Sequence, residues 1–416
     1  MPLPSTLSPD QLVKPRHFEL RISLIFLAIF IPLGVHLPYF PLWLESKGFA
    51  AEQIALILSA PMFLRVVTTP FITAMADRAR DRANVLILMV AAALLLSAGY
   101  FLEPTYVTVL GVSLVLAVFW TPQTPLTDSL ALSGVRRFGS VYARMRIWGS
   151  ISFLAANLVG GAVLAVYSAN AVPVMISLGL VGALAVSFLA PRLGRPRRAS
   201  PLSATELQEE APKLLNAYFL FFVIGAGVII SSHGFLYSFV SIYWKSIQLS
   251  ETLVGLLWAW AVVAEVGMFM IFTRVFSHMR APTLLVMAGL AAILRWLMYP
   301  LIWPLGLGAF GFFVAQTLHA FSTGLILIGV QKMIGETVAE ERMGAAQGIA
   351  FFANGFAMAS VTLISGALYD RLGVDGFFVM AGVALVGLLF IGLAARSAPK
   401  RLLGRRDERA VVDEAG

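Results

Sequence analysis

Residues 20–44 read LRISLIFLAIFIPLGVHLPYFPLWL. The run carries one charged side chain, Arg21, at its edge. About 20 mostly apolar residues suffice for a helix to cross a bilayer. Eleven more such runs follow, at 53–75, 84–102, 106–130, 145–168, 171–190, 214–243, 252–273, 281–300, 304–331, 343–369 and 375–396. All should be helices, because an open sheet leaves its backbone hydrogen bonds unmet in lipid and barrel strands are far shorter. The expectation is an all-α membrane protein of twelve transmembrane helices.

The totals agree. Of 416 residues, 59% are hydrophobic and 12% charged, against about 25% charged in a typical soluble domain. Mean hydropathy is +0.85. Lipid must be the solvent for most of this surface. The chain has no cysteine, which excludes disulfides and thiol-ligated metal or iron–sulfur sites. The polar N-terminus, MPLPSTLSPDQLVKPRHFEL, lacks the pattern of a cleaved signal peptide, so the first run is expected to remain as a span.

The net charge is +8, and its distribution sets topology. Twenty-four of the 30 Lys and Arg fall on the N-terminal tail, the loops after even-numbered spans and the C-terminal tail, counting Arg21 and Arg396 at the adjoining span edges. Three, Lys47, Lys245 and Arg371, fall on the opposite loops. The positive-inside rule places both termini in the cytoplasm. The basic excess thus serves orientation, and no nucleic-acid partner is expected. The longest loop, 191–213, is rich in Pro, Arg and Glu and reads as a tether between two six-span halves, 1–190 and 214–396, with a cytoplasmic tail at 397–416.

Charges inside spans are costly and mark functional positions. The deep set is Arg65, Asp128, Arg146, Glu265, Arg295 and His319, with His36 and His233 also inside apolar runs. Asp128 closes span 4 and Arg146 opens span 5 across a short hairpin, so a buried Asp–Arg pair is the natural reading, either as a staple or as a pair that opens for substrate. Arg65 pairs with Asp128, snorkels, or awaits an anionic substrate. Glu265, Arg295 and His319 lie on three consecutive spans. An acid, a fixed cation and an imidazole form a proton-handling set, since Arg keeps its charge and His titrates near neutrality; the alternative for His319 is a hydrogen-bonded core residue. His36 and His233 read as mostly structural. Pro122 and Pro125 in span 4, Gly225, Gly227 and Gly234 in span 7, and Ser322–Thr323–Gly324 in span 10 predict kinked or loosened helices, which suit cavity walls and gates.

The basic loop TAMADRARDRANVL (73–86) is similar to the signature loop of the major facilitator superfamily, with Asp77, Arg78 and Arg82 at matching positions and Thr73 in place of the first glycine. A closer resemblance, over about 18–396, is to the branch holding lactose permease, the nucleoside:proton symporters and the phenylpropionate permeases. It is carried by PYFPLWL (38–44), Asp128 followed by RRFGSVYARMRIWG (136–149), Glu265, Arg295, TLHAF (317–321) and SGALYDRLGVDGFF (365–378). The resemblance implies two pseudo-symmetric halves that rock around a midplane site, Arg146 as a substrate ligand, Glu265, Arg295 and His319 as proton-coupling residues, and Asp77, Arg78 and Arg82 as a gating loop. Phe153 stands where the sugar permease has a stacking tryptophan, Ser322 where it has a second glutamate, and Asn354 where it has a lysine. A site with fewer polar contacts and an added Arg65 favours a small aromatic carboxylate over a disaccharide. Arg65, Asp128, Arg146 and Phe153 are the expected substrate residues.

The function expected is proton-coupled import of a phenylpropionate-like acid by a monomeric, multi-pass symporter of the inner membrane, with no cofactor or metal. A sugar or nucleoside symporter is the alternative, then a drug-exporting antiporter or a non-transporting sensor. No nucleophile–base pair, metal-ligand cluster or phosphate-cradling loop marks an enzyme.

Overall fold

The computed structural model describes residues 13–194, 215–276, 278–338 and 343–398. The expected linker beyond residue 194, the tail beyond 398 and the side chains of Asp77 and Arg78 lie outside the described set. The described residues are helical, without strands. In chain order the helices are α1 Phe18–Ser46, α2 Ala51–Arg78, α3 Arg82–Ser97, α4 Tyr106–Trp120, α5 Gln123–Phe138, α6 Tyr142–Tyr167, α7 Ala171–Ser187, α8 Ala217–Ser231, α9 Gly234–Ser246, α10 Glu251–Val275, α11 Ala281–Ile302, α12 Gly308–His319, α13 Leu325–Thr337, α14 Met343–Leu372 and α15 Gly376–Arg396.

Among the described residues, ten stretches are long and apolar enough to cross a membrane. One, 346–396, contains both α14 and α15, joined by a three-residue 3-10 turn, and α7 is a shorter apolar helix. Together these account for the twelve expected runs.

Three spans are broken where the sequence predicted. Span 4 is α4 and α5, interrupted at Thr121–Pro122. Proline has no N–H to donate, and nearby side chains make up part of the loss: Thr121 Oγ1 donates to the Ala117 carbonyl at 2.7 Å and Gln123 Nε2 to the Phe119 carbonyl at 3.2 Å. Span 7 is α8 and α9, separated by a turn at Ser232–His233 whose N–H groups reach Ile229 and Ile230. Span 10 is α12 and α13, joined by a single π-helical turn, Ala320–Gly324. Such turns widen the helix locally and are frequent at functional sites.

Inter-residue contacts divide the chain into two compact units. The first comprises Met1–Leu207, Leu236–Val263 and Thr362–Gly373; the second comprises Gln208–Phe235, Ala264–Val361 and Val374–Gly416. In the first, α1 packs along α6 and α7, and α3 also packs on α7. In the second, α8 and α11 both pack on α15. The relation of the first and third spans to the sixth therefore recurs as that of the seventh and ninth to the twelfth, as expected of an internal repeat.

The first unit also contains a clasp at the ends of the spans remote from the termini. A Cβ added to Gly161 of α6 would lie 2.7 Å from the backbone oxygen of Glu251 in α10, and one added to Gly366 of α14 would lie 2.7 Å from the backbone oxygen of Ala51 in α2. Only glycine allows backbones this close. Tyr39 of α1 completes the seam by donating from its hydroxyl to the Asn157 carbonyl at 2.5 Å, beside Gly255.

Candidate functional site

Each unit holds a group of polar side chains within its spans. In the first, α5 ends at Gly139, whose φ of +67° turns the chain into α6. This hairpin brings Asp128 and Arg146 to neighbouring helices, but among the described residues no ion pair within 4.0 Å joins Asp128 to Arg146 or to Arg65. Here the structure corrects the expectation of a direct pair. The reason lies one helical turn before Arg146: Tyr142 occupies the same face, and its hydroxyl donates to Asp128 Oδ1 at 2.8 Å. The Arg146 guanidinium instead stacks on aromatic rings, 4.1 Å from the centroid of Phe30 and 5.5 Å from that of Phe26. Cation–π stacking suits the planar, weakly hydrated guanidinium, and the same group also interacts with the Tyr142 hydroxyl and, electrostatically, with Asp128.

Phe153 lies two turns beyond Arg146 on α6, where it packs partly buried against the apolar core of Phe26, Leu126, Leu130 and Met145. Arg65 sits in α2 between Pro61 and Pro70. Its Nε is shut off from solvent and, among the described residues, has no hydrogen-bond partner. A buried donor left unmet costs about 1–3 kcal/mol, and more when charged, so this is an expensive position for a cation.

In the expected gating loop, Arg82 donates to Ser133 Oγ at 3.2 Å. Asp81, which the sequence reading passed over, caps α3 by accepting from the Ala83 N–H at 2.9 Å and also faces the Gly194 N–H at 3.3 Å. Asp77 and Arg78 stand in the last turn of α2.

The second cluster is built on α11, α12 and the π turn. Arg295 is fully buried, as is Gln316, and His319 is 9% exposed. Arg295 bonds to His319 Nδ1 at 3.0 Å through one terminal nitrogen and to Gln316 Oε1 through the other. Tyr299 Oη donates to the same Gln316 oxygen at 2.9 Å. Arginine has no acceptor, so His319 Nδ1 accepts. The ring is then a neutral imidazole with its hydrogen on Nε2. Arg295 also lies 4.7 Å from the Trp296 ring.

His233, expected to be structural, joins this cluster. Its Nε2 is 2.9 Å from Ser322 Oγ, and its ring stands edge-on to His319 at 5.7 Å and to Trp296 at 4.8 Å. Glu265 on α10 belongs to the same unit and is half-buried. Of the expected proton set, the structure thus draws Arg295 and His319 into direct contact. Gln316 could have been found from its spacing, three residues before His319 on one helical face. Tyr299 and Tyr142 carried no comparable signal. His36 stacks on Phe40 at 4.4 Å and meets Trp120 edge-on at 5.2 Å.

Twelve helical runs, three of them interrupted, with charged and polar clusters buried inside, define a membrane transporter of the major facilitator type. The chain belongs to the MFS_1 like family, which matches residues 19–380. It is 24% identical to the "Probable 3-phenylpropionic acid transporter" of Escherichia coli (strain K12) over 368 residues, covering 88% of this chain and 94% of that protein. It is 26% identical to the maltose permease of Geobacillus stearothermophilus over 385 residues, covering 90% and 93%. The crystal structure of the nucleoside transporter NupG superposes with a TM-score of 0.76 at 15% identity, covering 91% of this chain and 99% of that one. A bacterial homologue of the lysosomal transporter Spinster gives 0.63 at 14%, covering 94% and 98%.

Proposed function

We propose that this transporter imports a small aromatic carboxylate together with protons across the cytoplasmic membrane, working as a monomer with both termini in the cytoplasm and two six-helix halves joined at 191–213. The observation that carries the substrate class is Arg65, whose guanidinium keeps a buried, unmet Nε. A carboxylate supplies the charge and the acceptors that this group lacks. Arg146, stacked on Phe30, is the second anion ligand, and Phe153 offers an aromatic surface for the body of the acid. Asp128, held by Tyr142, orients the polar side of the site. Glu265, Arg295 and His319 handle the proton, and Asp77, Arg78 and Arg82 form the gating loop. The similarity to a probable 3-phenylpropionic acid transporter supports the same class.

The test is uptake of labelled 3-phenylpropionate into proteoliposomes, with and without an inward proton gradient, against protein-free liposomes, since the neutral acid crosses lipid unaided. Gradient-driven uptake above the control supports the reading; uptake equal to the control refutes this substrate. The second reading, a sugar or nucleoside symporter, draws on the likeness to the maltose permease. Saturable maltose or nucleoside uptake in the same vesicles would favour it.

A further inference from the structure

The hydroxyl of Ser322 has one hydrogen and two neighbours that can receive it. Its Oγ lies 3.2 Å from the His319 carbonyl and 2.9 Å from His233 Nε2. On the far side of the same imidazole, His233 Nδ1 is 3.1 Å from the Ile230 carbonyl. A carbonyl is an acceptor, so Nδ1 carries a hydrogen; the other neutral tautomer would set two lone pairs against each other. This leaves two arrangements. With Ser322 donating to Nε2, His233 is a neutral imidazole. With Ser322 donating to the His319 carbonyl, Nε2 must itself donate, and His233 is an imidazolium. The orientation of one hydroxyl and the charge of one histidine are the same variable.

His319 differs. Its Nδ1 is occupied by the Arg295 donor, and the neutral ring already holds a hydrogen on Nε2. It can take a second proton only by giving up Arg295. His233 can take one by rotating a hydroxyl.

We propose that His233 is a proton-binding residue of this transporter and that Ser322 is the switch that passes its charge state to the π turn. The inference rests on the proton-coupled reading above and deepens it. The proton arrives at Nε2 from water when the wall of the unit opens, since His233 and Ser322 are both fully buried in the conformation described. Ser322 keeps its own hydrogen and turns it to the His319 carbonyl, which also accepts from Thr323 Oγ1 at 2.7 Å. That carbonyl opens the π turn between α12 and α13. The charged and titratable groups on the elements around His233 are Arg295 and Tyr299 on α11 and His319 on α12, and Glu265 lies on α10 of the same unit. Because Arg295 is a fixed cation, an anion beside it and a proton on His233 stabilise each other. This is a coupling free energy of the kind a symporter needs.

The test uses the full-length protein labelled with ¹⁵N-histidine. It has five histidines, and single substitutions of the other four assign His233 by elimination even if His233→Gln fails to fold. As the pH is lowered, the His233 resonances should pass from a neutral ring with hydrogen on Nδ1 to a doubly protonated one, while His319 keeps hydrogen on Nε2 alone. A second proton on His319 while His233 stays neutral, or a neutral His233 protonated on Nε2, would overturn the inference. The spectrum needs no substrate, so it stands even if 3-phenylpropionate is not carried. If it is carried, Ser322→Ala should lower proton-driven accumulation at least tenfold and Ser322→Thr should restore it. Wild-type accumulation in Ser322→Ala would refute the switch and leave the acid reading intact.

Discussion

Replacing Arg65 by methionine should make the protein more stable and a poorer transporter at once. Methionine keeps most of the length and apolar contact of the arginine stem while removing the guanidinium. The buried Nε of Arg65 has no partner, and an unmet buried donor costs about 1–3 kcal/mol. Removing it should raise stability by that order. At roughly 2–4 °C per kcal/mol for domains of 150–250 residues, and less for a longer chain, the apparent Tm should rise by a few degrees. Binding moves the other way. Charge-assisted hydrogen bonds to a carboxylate contribute about 1.5–3 kcal/mol, and each 1.4 kcal/mol is tenfold in affinity. The KM for 3-phenylpropionate should therefore rise at least tenfold and up to about 100-fold. Thermal melting in detergent and concentration-dependent uptake in proteoliposomes read the two effects on one preparation. A structural arginine predicts the reverse. A fall in Tm with unchanged KM would refute the assignment.

Further outcomes follow from the other contacts. Glu265→Gln should abolish accumulation against a gradient while sparing exchange, and unchanged accumulation would remove its role in coupling. Gln316→Leu removes the acceptor shared by Arg295 and Tyr299, which should destabilise the protein by about 1–3 kcal/mol for each lost bond; an unchanged Tm would contradict the network. Gly255→Val would set a Cβ 2.5 Å from Tyr39 Oη and 2.6 Å from the Asn157 carbonyl, so α6 and α10 must part. The chain has no native cysteine, so maleimide labelling of Asn157→Cys, slow in the parent, should speed up several-fold in that background. Tyr142→Phe frees Asp128 from its 2.8 Å bond and should weaken substrate binding several-fold, seen as a raised KM with little change in Tm.

Much of the architecture was legible because lipid imposes simple rules. Run length gave the spans, and Pro122 and Pro125 marked the break in span 4. Ser322–Thr323–Gly324 marked a break that proved to be a π turn. Charge in an apolar run was also a sound guide, since Arg295 and His319 do meet. Polar neutral side chains were harder to see. Gln316, Tyr299 and Tyr142 are ordinary in composition and become important only when folding sets them against a charge. For the same reason the Asp128–Arg146 pair was expected to be direct: spacing brings two helices together, but it does not show that a phenol one turn earlier will reach the carboxylate first. His233 was undervalued because its partner, Ser322, lies 89 residues away.

The clasp of Tyr39, Gly161, Gly255 and Gly366 is made from backbone oxygens, a phenol and missing side chains. Such a seam holds by contact and by a neutral hydrogen bond. Dissolved ions weaken attractions between exposed charges, over a Debye length of about 8 Å at physiological salt, but they have little purchase here. The grip between these helices should thus be nearly the same in fresh water and in brine.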